Sequence, residues 1–563
     1  MIVDPDGVAL ALQHWKQLLG PEFVTTESSA CREAETATFA TWQKIPAILR
    51  PGTREQVQEC LRIANRFGAP LYPISSGKNW GYGSRVPPAD GCTLLDLSRL
   101  DRIHDFNEEL GYVTVEPGVT QKRLHDFLKD RGSRLWMDAT GSSPECSLIG
   151  NAIERGFGHT PYADHFAHVC GLEIVLPTGE LIETGASRFP NSLAAAVWRS
   201  GVGPTLDGLF SQSNLGIVTR MTIWLMPRPE AFEAFFFRCE SRDGLPALID
   251  RLRELRMSDV LRSAIHIAND YRVLAGLRQY PWADAHGQTP LSPELLSGFR
   301  TNFSFGYWNA SGGLYGTAGQ VAEAKRLLKR ALVGQRGKLK FLRPSTLQLA
   351  KRFAAPFRVI TGWDISRTVA LVEPIFGLMQ GIPTEHALAS AYWRKRTPAP
   401  NDPDPDRDFC GLLWFAPVAP ADGIQVANLA EIASKTLFSF GFEPMISLTM
   451  LTPRAVSCVV SITYDREIPG QDPHAMACYE ELVTRCNRAG YYPYRLGIQS
   501  MCAVPDTEAY RVMLRKLKKA LDPNSVLAPG RYDAGEPLET ALEASADSTP
   551  IAEKRLREKS EEN

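Results

Sequence analysis

The stretch Ser75-Ser76-Gly77-Lys78-Asn79-Trp80-Gly81-Tyr82-Gly83 decides how the chain is read. Three glycines within seven positions leave backbone N–H groups uncovered and able to close on an anion such as a diphosphate. Taken alone, the loop is equally a tight turn among packed aromatics. It matches neither the phosphate loop ending in Gly-Lys-Ser/Thr nor a strand-linked G-x-G-x-x-G, so nucleoside triphosphate and Rossmann readings both lose ground. Working outward, residues 69–74 form a short apolar strand just before the loop. Ahead of that strand, Thr53 with Gln56 makes a capping box, Val57, Cys60, Leu61 and Ala64 recur at helical spacing, and Gly68 stops the helix. A second strand is expected at 92–97. The order helix, strand, glycine loop, strand suits an α+β nucleotide-binding module.

The 563 residues carry 62 Lys+Arg against 63 Asp+Glu, a net charge of −1. That balance argues against a nucleic-acid or anionic-membrane partner, because both reward a basic excess. Hydrophobic residues at 44% and charged residues at 22% exclude a disordered or fibrous chain, and the length suggests two or three domains. No apolar run approaches the ~18 residues of a membrane span. The first twenty residues are acidic early and lack the order of a secretion signal, so a soluble cytoplasmic protein is expected. Eleven scattered cysteines without a C-x-x-C pair read as reduced, mostly buried thiols.

Further strands are expected at 112–115, 172–176 and 217–226, with Pro177-Thr178-Gly179-Glu180 as a hairpin turn into 181–184. The texture changes after Pro229. From about 230 to 490, helical patterns such as 321–332 alternate with aromatic, proline-broken loops, and the acidic 401–408 stretch reads as a mobile surface loop. A second domain belongs there. A basic helix at 512–520 ends at Asp522-Pro523 and runs into 524–531, and beyond about 535 the chain is a polar tail.

A second glycine-bearing segment, 146–165, offers amides and hydroxyls with little charge, a wall suited to wrapping a cofactor. His159, His165 and His168 lie there, but their spacing without a glutamate partner does not match a zinc helix, so no metal is expected.

Four blocks in order, 75–83, 150–165, 203–219 and 522–530, together resemble the vanillyl-alcohol oxidase and p-cresol methylhydroxylase family, over about residues 45 to 532. The resemblance implies an α+β fold, a two-lobed FAD-binding domain with an α+β cap over the isoalloxazine ring. The FAD-binding domain would take 1–229 and return at 491–535, the cap 230–490, with a tail at 536–563. By the same resemblance Ser75, Ser76, Gly77, Lys78 and Asn79 line the diphosphate, Gly150 and Asn151 pass near the flavin, and Gly216, Ile217 and Val218 hold the adenosine half. Ser142 and Arg531 are further cofactor-side positions.

In that family two tyrosines and an arginine bind the phenolic oxygen, and Tyr82, Tyr494 and Arg495 stand at the matching positions. The chemistry is coherent: a free phenol has a pKa of about 10, and two hydroxyl donors beside a guanidinium favour its anion. Electron density from the phenolate then lets a benzylic hydride leave toward flavin N5, giving a quinone methide that takes up water or loses a proton. Residues that tether the flavin in some members are replaced here, by Leu412 for a histidine and Phe409 for a tyrosine. FAD is therefore expected to be held non-covalently, with a Cys410 thioether as the alternative. The oxidase branch has an aspartate where this chain has Ser142, and a further tyrosine is replaced by His159, a candidate proton relay. Trp393, Trp414 and Phe415 are candidate pocket walls.

The leading expectation is FAD-dependent oxidation of a para-substituted phenol with oxygen as acceptor. Its nearest rival passes the electrons to a cytochrome or another carrier. A non-catalytic flavin-fold binding subunit is the third. The resemblance also implies a homodimer.

Overall fold

The computed structural model describes residues 5–361 and 365–533, with side chains omitted at 353–371. The polar tail foreseen beyond 535 lies outside the described residues. Helix Arg54–Phe67 forms as its pattern predicts. The Thr53 hydroxyl accepts from the Gln56 amide, and Gly68 closes the helix at φ 64°, a left-handed value that glycine adopts without steric cost. Its apolar face lies on a small sheet in which strands Leu71–Ile74 and Ile48–Leu49 both run parallel to Thr93–Asp96. Helix Pro5–Leu19 covers the other side of Arg54–Phe67, the Trp15 indole donating to the Cys60 carbonyl.

The second lobe is an antiparallel five-stranded sheet, in the order Ile103–Asn107, Tyr112–Val115, Ile217–Trp224, Val169–Val175, Leu181–Glu183. The glycine loop leaves the first sheet at Ile74 and passes between the lobes. The chain's C-terminal part returns to the first sheet: the Leu71 amide donates to Val526 and Ala528 donates to Leu71. The Asp522 carboxylate fixes this return by accepting from the Val526 and Leu527 amides.

The region from Ala231 to Asp465 is built on one eight-stranded antiparallel sheet. The aromatic stretches read from sequence as loops are its strands, notably Ala231–Cys239 (AFEAFFFRC), where bulky side chains suit a pleated surface covered on both faces. One face carries helices Leu245–Met257, Ala318–Ala331, Gly423–Ser439 and Gln471–Arg488 over the largest apolar core. Alternation sends the neighbouring residues to the opposite face: Ile265, Ile267, Leu413, Leu448 and Val460 enter the core, while His266, Ala268, Leu412, Thr449 and Val459 line a cavity. The cap therefore roofs the cavity with a sheet.

The 401–408 stretch is pinned, contrary to its reading as a mobile loop. Lys78 Nζ pairs with the Asp404 carboxylate at 2.8 Å, Ser84 donates to Asp406 at 2.8 Å, and Tyr392 donates to Asp408 at 2.5 Å. The acidic residues that signalled solvent are counter-charges and acceptors for the glycine loop and its surroundings. No helix among the described residues is long and apolar enough to cross a membrane.

Candidate active site

A cavity of about 2020 Å³ runs between the two lobes and under the cap sheet. Pockets for small ligands occupy about 300–1,000 Å³, so this space admits a dinucleotide and a second, smaller molecule. Ser75, Ser76, Gly77, Lys78 and Asn79 form one wall. Gly77 sits at φ 69°, and a Cβ on Gly150 would lie 2.5 Å from the Ser75 hydroxyl. The two backbone segments thus close on each other through glycine. Gly150, Asn151, Gly216, Ile217, Val218, Ser142 and Arg531 also face the cavity. Ser213 Oγ and Arg531 Nη1 are buried without a protein partner among the described residues, polar atoms that a bound cofactor would satisfy. Lys78 is the exception in role: its ammonium is already claimed by Asp404, so the backbone of the loop is left as its anion-facing part.

Three distant segments meet at the other end. The Trp414 amide donates to the Gly81 carbonyl, Tyr494 N–H donates to Ala416, and Ile498 N–H donates to Tyr82. Gly81, at φ 75°, passes under the Trp414 ring, to which a Cβ would come within 3.0 Å. These contacts bring Tyr82, Tyr494 and Arg495 together. Arg495 Cζ lies 4.5 Å from the centroid of the Tyr82 ring. Trp414 meets Tyr82 edge-on at 5.8 Å, and Phe157 lies 5.8 Å from Tyr494, which makes a slot for one aromatic ring. The Tyr82 hydroxyl is buried with no hydrogen-bond partner among the described residues. Burial raises the Tyr82 and Tyr494 hydroxyls above the usual phenol range, so both are neutral donors at pH 7.

Glu154 organises the charge. Its carboxylate pairs with Arg495 Nε at 3.3 Å, with Arg531, and with the Tyr532 hydroxyl at 3.1 Å. Arg495 Nη2 also donates to Asn79 Oδ1 at 2.6 Å. Burial alone would raise the Glu154 carboxyl, but the Arg531 and Arg495 guanidiniums overcome it and hold the group below the ordinary carboxylate range. Two guanidiniums against one carboxylate leave one positive charge uncompensated beside the tyrosine pair. Glu154 was not singled out from sequence. The adjacent charges Glu154-Arg155 inside a segment whose one other acidic residue is Asp164 were the available signal.

His159 lies against the His266 ring at 4.0 Å, and burial pushes both imidazoles below their ordinary pKa. Its Nδ1 faces the Ala139 carbonyl at 3.3 Å, which assigns the proton to Nδ1 and leaves Nε2 as a free acceptor. His165 stands apart from both, between Asn151 Oδ1 at 2.5 Å and Asp138 at 3.2 Å. It orients Asn151. Among the described residues no group of three or more His, Cys, Asp or Glu is arranged to hold a metal.

Two expected wall residues are elsewhere. Trp393 is fully buried in the cap, packed edge-on against Tyr280 with its indole donating to Glu443. Phe415 belongs to the cap core against Tyr479. In strand Cys410–Phe415 successive side chains alternate, so with Leu412 and Trp414 facing the cavity, Phe415 must face away. Cys410 shares the face of Leu412 but is covered by Trp80 and Tyr392, and burial pushes its thiol well above the range in which it ionises. Phe409 is half-exposed and does not line the cavity.

A dinucleotide-sized cleft between two α+β lobes, roofed by a cap sheet that closes a phenol-sized slot, defines a capped flavoprotein. Residues 45–185 match the FAD binding domain family. The chain is 46% identical over 525 residues to the 1'-carboxy-chondrochloren decarboxylase of Chondromyces crocatus, covering 93% of this chain and 97% of the relative. It is 31% identical to the 4-cresol dehydrogenase (hydroxylating) flavoprotein subunit of Pseudomonas putida, over 92% and 94% of the two chains. The solved structure of the 4-ethylphenol oxidase of Gulosibacter chungangensis with isoeugenol superposes with a TM-score of 0.85 at 28% identity, over 94% of this chain and 98% of that one. The chain belongs to the vanillyl-alcohol oxidase and p-cresol methylhydroxylase family of flavoproteins, and its cofactor is FAD.

Proposed function

We propose that the protein oxidises a para-substituted phenol at its benzylic carbon. The observation that carries this reading is the convergence of Tyr82, Tyr494 and Arg495 on one aromatic-walled slot, with a net positive charge behind them. Two neutral hydroxyl donors and a guanidinium stabilise a phenolate by hydrogen bonds and by opposite charge. The slot between Trp414 and Phe157 fixes the ring plane, which holds the para substituent in a reactive orientation. FAD, when bound, supplies the acceptor for the hydride that leaves the benzylic carbon. The substrate left behind is a quinone methide, which adds water to give a benzylic alcohol or loses a proton to give an alkene. On this reading His159 Nε2, unpartnered among the described residues, takes that proton.

Leu412 in the tether position and a covered Cys410 support a non-covalent FAD. Acid precipitation tests this: the yellow colour is expected in the supernatant, and a yellow pellet refutes it. Anaerobic addition of a 4-alkylphenol tests the oxidation itself. The flavin absorbance is expected to bleach, and a panel of 4-alkyl, 4-allyl and 4-hydroxybenzyl compounds that leaves it unchanged refutes the reading. Oxygen is the proposed final acceptor, and oxygen uptake in turnover separates that from transfer to a cytochrome or another carrier.

A second reading is favoured by the relative at 46% identity, whose name is that of a decarboxylase. If the carbon next to the benzylic position bears a carboxylate, the quinone methide can shed it. The C–C bond breaks, CO₂ departs, and the bonding pair becomes the side-chain double bond as the ring returns to a phenolate. Trapped CO₂ in a 1:1 ratio to reduced flavin identifies this route.

A further inference from the structure

Among the described residues that line the cavity, Glu154 is the only carboxylate, and it is consumed by Arg495 and Arg531. Most of the lining cations have partners too: Lys78 with Asp404, Arg238 with Glu240, Arg278 with Asp284. Arg272 does not. It stands in the first turn of helix Asp270–Leu277, whose cap Asn269 ends the strand that carries His266 and Ala268. Among the described residues its guanidinium makes one side-chain hydrogen bond, Nη1 donating to Ser390 Oγ at 2.7 Å, and the Ser390 hydroxyl in turn donates to the Ala387 carbonyl. The other N–H groups of the fork have no protein acceptor among the described residues.

A guanidinium does not shed its proton in a protein, and a desolvated cation without a counter-charge is costly to keep. Burial, with no carboxylate to oppose it, pushes Arg272 down to about 10. Among the described residues the elements near Arg272 that line the cavity bring no carboxylate: Val273 and Gly276 on its own helix, Arg278 at that helix's end, which is paired with Asp284, Thr301 and Asn302 on helix Pro293–Phe303, and His386 and Ser390. His386 is itself held below its ordinary pKa by burial and supplies no negative charge. Lys338 and Lys340, exposed on one face of strand Gly337–Leu342, also border the cavity and add a positive field. Along Ile265–Asn269, same-face positions are about 7 Å apart, so moving from His266 at the phenol slot past Ala268 leads away from the ring toward Arg272.

We propose that Arg272 anchors a carboxylate on the para side chain of the substrate, so that the protein selects phenols with an anionic tail over simple alkylphenols. This rests on the phenol-oxidation reading for the position of the ring. Arg272 is a specificity-determining residue: it acts on recognition, whether the carboxylate is later retained or lost. A planar fork with free N–H groups matches a carboxylate in two-point geometry, which an ammonium or a neutral donor does not.

The test uses the FAD-loaded protein and a matched pair that has no benzylic hydride to lose, 4-hydroxycinnamate and 4-hydroxycinnamamide, titrated against the flavin absorbance. The carboxylate is expected to bind about 10- to 100-fold tighter than the amide in the wild type. Arg272→Gln should remove at least tenfold of that preference, and Arg272→Lys should keep part of it, with flavin content confirming that both variants fold. Equal dissociation constants in the wild type, or an undiminished preference in Arg272→Gln, overturn the proposal. Turnover of 3-(4-hydroxyphenyl)propanoate is scored separately. If it fails to bleach the flavin while the cinnamate preference depends on Arg272, benzylic oxidation falls and the anchor stands. Bleaching by propanoate and propanamide alike, without a binding preference, gives the reverse.

Discussion

The two ends of the cavity handle charge in opposite ways. At the phenol end, Arg495 and Arg531 share Glu154, with Asn79 and Tyr532 completing the network, and the surplus is a single positive charge spread over several groups. At the cap end, Arg272 carries its charge with only the Ser390 hydroxyl for support among the described residues. The contrast separates two tasks. On the proposed reading, the site that stabilises a developing ring anion is preorganised by a rigid, nearly balanced network. On the proposed anchor, the site that captures a group already charged keeps its cation without a carboxylate among the described residues.

Arg495→Gln strikes the network at its centre. It should lower kcat/KM for a 4-alkylphenol by roughly 100- to 1,000-fold, the usual loss for one oxyanion donor, while leaving the carboxylate preference intact. An equal loss of both would show that the two ends are not separate.

Glu154→Gln leaves two buried guanidiniums facing each other, and breaking such a pairing costs about 3–5 kcal/mol. Thermal unfolding and flavin retention should both suffer. Because the folded Glu154 carboxyl is depressed, its stabilisation is present above the ordinary carboxylate pKa and is lost as pH falls through the lowered value. The variant should show a weaker acid dependence of stability than the wild type.

His159 borders the slot through a neutral ring, and its removal should cost about 100-fold in kcat for His159→Gln, the lower end of what a general base contributes. Since burial lowers its pKa, the wild-type rate should hold below the ordinary histidine value before falling, and the variant should lack that limb. An unchanged rate and pH profile would remove His159 from the mechanism.

The smallest effect concerns the 401–408 stretch that joins the cap to the glycine loop. Burial raises the Asp406 carboxyl to about 7, so the folded protein holds this proton more tightly than the unfolded chain does. Stability from this group is present below the unfolded carboxyl pKa and declines as pH rises through about 7. Asp406→Asn should raise the melting temperature at pH 8 by about a few degrees and flatten the slope between the ordinary carboxyl pKa and about 7, read by calorimetry.

Local signals carried much of this architecture. The Thr53 cap, Gly68 and the hairpin turn at 177–180 were legible because each depends on residues adjacent in the chain. The glycines at 77, 81 and 83 were legible for the same reason. The cap sheet was obscured because its strands are covered on both faces, so the run 231–239 lacks the alternation that marks a half-buried strand. Phe415 was misplaced because the cavity wall obeys the pleat, and the register of one strand decides which neighbour faces in. The acidic 401–408 stretch looked solvated because its counter-ion, Lys78, is more than three hundred residues away in the chain.

By itself, the sequence determined which side chains were available: the glycine loop, the Tyr494-Arg495 pair, the leucine where a tether would stand. Composition and short-range pattern suffice for that, since they act through backbone conformation and residue chemistry. Only the tertiary structure decided which charges meet. Among the described residues Glu154 balances Arg495, Asp404 takes Lys78, and Arg272 meets the Ser390 hydroxyl but no carboxylate, because Coulomb partners are chosen by distance in space and by burial, neither of which is written in the order of residues.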